Sequence, residues 1–256
     1  MPRYFIEVCY KGANYSGFQQ QDNAPSIQQE VEKALATLFR KALVQAGEEG
    51  LKLTGSSRTD AGVHALQNYF HVDSPFVITP KHAYNLNALL PGDIAINNIH
   101  PVAEAAHCRF DALSRRYKYY IYQHKNPFLA SRAYYYPYTL NVEGLNQVAA
   151  LILGQHNFSA FSKRNTQVKT FICTIYQAQW AIEDDCLVFT VCGNRFLRGM
   201  VRGLVGTMLR VSKQPQAVEN FSKILASGNC TLADFSVPGH GLFLVNVNYP
   251  RGYFNA

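Results

Sequence analysis

None of the six cysteines in this chain stands in a C-x-x-C pair, and none of its eight histidines falls into H-x-x-H or H-E-x-x-H spacing. Those absences argue against a zinc site or a disulfide framework. No G-x-S-x-G elbow, no G-x-x-x-x-G-K-[ST] loop and no G-x-G-x-x-G fingerprint occurs, so the common nucleophile and phosphate-cradle motifs are missing. No apolar run approaches the roughly 20 residues of a membrane helix. The opening Met1-Pro2-Arg3-Tyr4-Phe5-Ile6-Glu7-Val8 enters a strand at once. No signal or transit segment is therefore expected, and the protein is expected to be cytoplasmic and reduced. Charged residues are scarce at 16%, which excludes a disordered chain when 48% of residues are hydrophobic.

What is present is basic and aromatic. Lys and Arg number 24 against 17 Asp and Glu, a formal charge of +7. On a lightly charged chain that excess fits a polyanionic partner such as nucleic acid, and equally a merely basic soluble protein. Tyr and Phe number 16 each. Aromatics interleaved with cations suit unpaired bases, which want a flat apolar surface beside a phosphate clamp, although most such rings fill cores.

The 256 residues suggest one large domain or two small ones. A strand is expected over Tyr4–Tyr10, then a helix from Ile27 to Ala42 whose apolar Ile27, Val31, Leu35, Leu38 and Phe39 keep a helical period. Ser26 with Gln29 forms its capping box, after Pro25. Strand-like runs follow at Lys52–Gly55 and Leu66–Val72, a helix over Lys81–Leu90, and a strand over Ile94–Ile99. The second half repeats the order. It has a strand at Arg116–Tyr122, a helix capped by Asn141 over Val142–Leu153, strands at Phe171–Ala181 and Leu187–Cys192, helices at Arg195–Val211 and Val218–Ala226, and a strand at Leu242–Val247. Strand, helix, two strands, helix, strand, read twice, gives an α+β class. Two ferredoxin-like or RRM-like α/β subdomains with mostly antiparallel sheets would flank a central basic cleft. A boundary near 103–112 sets the expected division at 1–105 and 106–256.

The most informative stretch is Ser56-Ser57-Arg58-Thr59-Asp60-Ala61-Gly62-Val63-His64. A short apolar run ends at Gly55, and a polar loop then presents an Asp with only Ala and Gly behind it. Such an Asp stays ionised beside a cation and can meet an electrophile; by itself, Arg58-x-Asp60 also fits an Asx-turn. On the strand at 115–120, Arg115, Tyr117 and Tyr119 share a face, where an Arg beside a Tyr suits a phosphate and a base, or blunts a sheet edge. Arg195, Arg198 and Arg202 fall at i, i+3 and i+7, one face of the expected helix, with Phe196, Val201, Leu204, Val205 and Met208 on another. A solvated face explains that stripe as well. Gly199, Gly203 and Gly206 weaken the helix by roughly 1 kcal/mol each relative to Ala and suggest close approach of another backbone. The loops Ala106-His107-Cys108-Arg109-Phe110 and 163–169 are basic and suit a phosphate backbone, while Gly241-Leu242-Phe243-Leu244-Val245 suits a pocket wall or plain core.

Taken in order, these segments resemble the tRNA pseudouridine synthase A family. The resemblance rests on Tyr10-Lys11-Gly12 with Gly17-Phe18-Gln19, Arg58 to His64, Leu90-Pro91-Gly92-Asp93-Ile94, His107-Cys108-Arg109-Phe110, Arg116-Tyr117, Met200-Val201-Arg202 and Gly241-Leu242-Phe243-Leu244. It implies a pseudouridine synthase fold and a cytoplasmic homodimer that isomerises uridines 38, 39 and 40 of the tRNA anticodon stem-loop without metal or cofactor. It implies Asp60 as nucleophile, Tyr117 stacked on the uracil, and Arg202 paired with Asp60. Arg58 would help extrude the base, an unstacking that costs a few kcal/mol. It further implies tRNA contacts from His107, Arg109 and Phe110 and from the loop holding Gln167 and Lys169, with Leu244 beside the base. The chain departs from the family's usual residues at Lys11 (Asp), Phe18 (Trp), Ser57 (Gly) and Cys108 (Ala). Two competing classes are weaker. A non-catalytic RNA-recognition module needs an aromatic Lys/Arg-Gly-Phe/Tyr strand that the chain lacks. A metal-dependent phosphoesterase wants further carboxylates near Asp60, and none lies within ten residues on either side.

Overall fold

The computed structural model describes residues 1–164 and 168–254. The chain forms a mixed α+β structure in two compact units, Met1–Leu113 with Leu244–Ala256, and Ser114–Phe243. The first division falls one residue past the 103–112 stretch. The C-terminal return to unit 1 has no counterpart in the linear order of elements.

Unit 1 is built on β1 (Arg3–Tyr10), flanked by β3 (His64–Asp73) and β4 (Ile94–Val102), both antiparallel to it. A two-residue β2 (Thr54–Gly55) pairs with β3. Beyond β3 lies the part of β10 (Leu242–Asn248) that belongs to this unit. The pairing places Tyr10 opposite Ala65 on one side and Ile94 on the other. β1 alternates little because the apolar Phe5, Ile6 and Val8 are all fully buried.

The first helix starts as expected: Ser26 Oγ accepts from Gln29 N at 3.2 Å, satisfying one of the orphan donors of the first turn. It does not run unbroken to residue 42. It divides into α1 (Ile27–Leu38) and α2 (Arg40–Ala46) at Phe39, whose ring is held by Phe76 and His82 at 4.9 Å each. Packing of that ring overrides a period that would have continued through it. Gly47, at φ 71°, ends α2. The third helix, α3, spans His82–Leu89.

Unit 2 orders its strands β5 (Ser114–Tyr122), β9 (Cys186–Gly193), β8 (Ile172–Glu183) and β7 (Gly154–Asn157), each antiparallel to the next. A short β6 (Tyr134–Tyr135) runs parallel to β5. β7 is Gly-Gln-His-Asn, with no apolar alternation to announce it. Asn141 caps α4 (Val142–Ala150) as expected, accepting from Gly144 N at 3.1 Å. The core packs Trp180 against Phe189 at 4.9 Å and donates its indole N–H to Met208 Sδ at 3.4 Å.

The helix expected from Arg195 is corrected. α5 runs only Met200–Val211, followed by α6 (Ala217–Ser227). Gly199 sits at φ 73°, a left-handed conformation that blocks helix propagation toward the N-terminus. Arg195 and Arg198 therefore lie ahead of the helix, and the three-Arg face does not exist; Arg202 alone is helical. Phe196 likewise leaves the expected apolar helix face.

Candidate active site

Asp60 is held by a loop whose backbone is tied down almost residue by residue. Ser56 N donates to Tyr69 O at 2.8 Å, Phe18 N to Thr59 O at 3.1 Å, Gly62 N to Tyr15 O at 3.3 Å, and Val63 N back to Asp60 O at 3.2 Å. The last bond closes a turn through Ala61 and Gly62, and Gly62 takes φ 76°, which suits a residue without Cβ. Side chains complete the frame. The Thr59 hydroxyl shares a buried 2.8 Å hydrogen bond with Tyr10, and Asn68 Nδ2 donates to Ser57 O at 2.8 Å and to the Tyr10 oxygen at 3.3 Å.

Two glycines let the 12–18 segment lie against this loop. A Cβ on Gly12 would fall 2.0 Å from Val63 O, and one on Gly17, at φ 123°, would fall 3.0 Å from Thr59 O. Phe18 is 1% exposed and stacks on Phe70 at 4.4 Å, directly where a Gly55 side chain would sit. The result is an Asp that is half-buried on a stiff backbone, next but one to an exposed Arg58. Sequence reasoning singles out Asp60 and Arg58 and meets Tyr10 and Thr59 only as members of quoted motifs; it does not find the hydrogen-bonded Tyr10–Thr59–Asn68 scaffold, since Asn68 is an ordinary strand residue far from Tyr10 in sequence.

His107, Arg109 and Phe110 come together in unit 1. The rings of His107 and Phe110 lie 4.1 Å apart at 32°, and His107 Nδ1 accepts from Arg109 N at 3.2 Å. Phe110 is 76% exposed, an aromatic surface presented to solvent beside an exposed cation. Cys108 points the other way, fully buried, with its thiol donating to Thr54 O at 3.1 Å. Tyr249 donates its hydroxyl to Cys108 O and so fastens the loop to the C-terminal segment of the same unit. Burial lowers the His107 pKa from its ordinary value. It also pushes His71 down to about 4, helped by neighbouring His107 and Arg3. Leu244 is fully buried in the same unit.

In unit 2, Arg115, Tyr117 and Tyr119 share a buried face of β5, as the alternation predicts. Tyr117 pairs with Val191 and sets its ring edge-on to Phe196, 5.1 Å away at 79°. Phe196 is thus part of the Tyr117 surroundings, which its misplacement on a helix face had concealed. The Arg115 guanidinium donates to Asn194 O at 2.9 Å. Tyr119 donates to Pro238 O at 2.8 Å, and burial drives its pKa well above the ordinary phenol range.

Arg202 lies in the first turn of α5. Its Nε donates to Val237 O at 2.8 Å and its Nη2 to Phe235 O at 3.4 Å. The helix glycines explain why that segment can come so close. A Cβ on Gly206 would stand 2.4 Å from Asp234 O, and one on Gly203 would stand 2.6 Å from the Phe235 ring. The close backbone approach expected from the glycine spacing is present. Lys169 is exposed in its loop, and Gln167 lies outside the described residues.

Residues 148–250 match the family described as tRNA pseudouridine synthase, which sets the chain among RNA-modifying isomerases. The likeness extends over the whole chain. A tRNA pseudouridine synthase A of Parabacteroides distasonis is 42% identical over 256 residues, covering 99% of this chain and 98% of that protein. One from Bacteroides thetaiotaomicron is 42% identical over 259 residues, covering 100% of this chain and 93% of its own. One from Staphylococcus aureus is 35% identical over 248 residues, with 96% and 90% covered. The chain belongs to the tRNA pseudouridine synthase A family.

Proposed function

We propose that this protein isomerises uridines 38, 39 and 40 in the anticodon stem-loop of tRNA to pseudouridine, with Asp60 as the nucleophile. The observation that carries the reading is the end-to-end identity to proteins named tRNA pseudouridine synthase A. Supporting it is a carboxylate carried on a loop too rigid to retreat from a bound nucleoside. A group held in its productive geometry contributes without paying reorganisation during the reaction.

In this reading the target uridine is turned out of the folded RNA and its C1′–N1 bond breaks against the Asp60 carboxylate. The freed uracil rotates and rejoins C1′ through C5. The proton lost from C5 is matched by one gained at N1, so substrate and product have the same atoms. Tyr117 is the ring on which the uracil stacks, Arg202 the counter-cation of Asp60, and Arg58 the side chain that helps extrude the base. His107, Arg109 and Phe110, with Gln167 and Lys169, bind tRNA, and Leu244 is apolar wall. The two units are ferredoxin-like subdomains of a pseudouridine synthase fold, and the protein acts as a homodimer in the cytoplasm. No helix among the described residues is long and apolar enough to cross a membrane.

The test incubates the protein with an unmodified tRNA transcript and maps pseudouridine by carbodiimide labelling and primer extension. Stops are expected at positions 38 to 40 wherever a uridine occurs. Asp60→Asn should abolish them while leaving tRNA affinity within about threefold. Equal loss of binding and product, or stops confined to other positions, would refute the assignment.

A further inference from the structure

Two imidazoles and a thiol converge in unit 1 from segments distant in sequence. His71 Nδ1, on β3, lies 3.2 Å from Cys108 Sγ across 37 positions of chain. The ring centroids of His71 and His107 are 4.5 Å apart at 72°. One ligating atom from each of the three residues lies within 4.8 Å of the others. His71 and Cys108 are both buried, and His107 is half-buried on the loop above Asp111 in sequence.

This donor set discriminates. Magnesium and calcium take oxygen ligands, whereas imidazole with thiolate suits zinc and its borderline-soft neighbours. A tetrahedral zinc with bonds of about 2.3 Å to sulfur and about 2.0 Å to nitrogen holds its ligand atoms roughly 3.5 Å apart. The His71–Cys108 separation of 3.2 Å is already close to that. The closing movement falls to the half-buried His107 ring, whose Nδ1 accepts from Arg109 N at 3.2 Å and from Phe110 N at 3.4 Å.

We propose that His71, His107 and Cys108 form a binding site for a divalent cation of the zinc class, with the fourth position taken by water. On binding, the Cys108 thiol releases its proton to solvent and a sulfur lone pair forms the metal–sulfur bond. Its hydrogen bond to Thr54 O is given up, and so is the bond that His71 Nδ1 accepts from Cys108 N at 3.3 Å. Both imidazoles bind as neutral ligands and no electron changes hands. The site does not depend on the chain being an isomerase.

Full-length reduced protein, stripped of metal with a chelator, is titrated with Co(II) and then Zn(II). One equivalent of Co(II) should produce a near-ultraviolet thiolate-to-metal charge-transfer band that Zn(II) abolishes. Cys108→Ala should remove the band and weaken Zn(II) binding by at least about 100-fold, the upper end of what even an outer-sphere partner costs. His107→Gln should weaken binding similarly while the unfolding midpoint of the metal-free protein stays near wild type, which separates ligation from folding. Cys9 and Cys230 are the cysteines with partial exposure, so a Cys9→Ser/Cys230→Ser variant should keep the band. No band in the wild type, a band surviving Cys108→Ala, or one lost with Cys9 and Cys230 would overturn the site.

Discussion

Ser57 carries an unusual burden for its size. Its hydroxyl is buried and has no hydrogen-bond partner among the described residues, three residues from Asp60, while its carbonyl accepts from Asn68. An orphaned buried hydroxyl costs about 1–3 kcal/mol. Ser57→Ala should therefore raise stability by ~1 kcal/mol, read as a higher urea midpoint at unchanged m-value; a fall would show that the hydroxyl has a partner. Arg202 is the opposite case, a cation anchored on two carbonyls. Arg202→Lys keeps the charge but cannot reproduce a planar fork. It should retain more turnover than Arg202→Ala, which loses both charge and anchor. Single-turnover rates of the two variants, taken beside their unfolding midpoints, decide the matter: equal rates would remove charge from the role of Arg202.

At the scale of elements, the glycines matter through what they admit rather than through flexibility. Helix propensity alone favours Gly206→Ala by about 1 kcal/mol. The new Cβ would meet Asp234 O at 2.4 Å, a backbone atom with little freedom to yield. Overpacking of this kind costs about 1–3 kcal/mol, so Gly206→Ala should destabilise, checked by thermal unfolding. Gly50→Ala, with open space around the position, is the neutral control. Gly12→Ala should be worse for function than for fold, because the clash falls on Val63 O in the turn that presents Asp60. Helical period alone does not place the start of α5. Arg195, Arg198 and Arg202 keep a helical period, but period says nothing about φ, and the left-handed Gly199 decides where the helix begins.

For the whole molecule, charge is unevenly shared. Unit 2 carries 14 Lys and Arg against 6 Asp and Glu, whereas unit 1 carries 10 against 11. The overall +7 is thus a property of one unit, while the proposed nucleophile belongs to the other. Affinity for tRNA should be strongly salt-dependent, since each neutralised phosphate releases counterion. Arg109→Ala should lower the slope of log Kd against log salt by about 1 if it contacts one phosphate. A salt titration by filter binding measures it, and an unchanged slope would remove Arg109 from the RNA surface.

Much of this protein was legible in one dimension because the forces concerned are local. The Ser26 and Asn141 caps, the alternation that buries Arg115, Tyr117 and Tyr119 together, and the Asp60 turn all depend on neighbours within a few residues. The family could be read the same way, from short motifs kept in order. Tertiary structure alone decided the rest. It broke the first helix at Phe39, placed Phe196 beside Tyr117, anchored Arg202 on Val237, and brought His71 to Cys108. Those contacts join residues tens of positions apart, and only burial of a shared core determines which distant side chains meet.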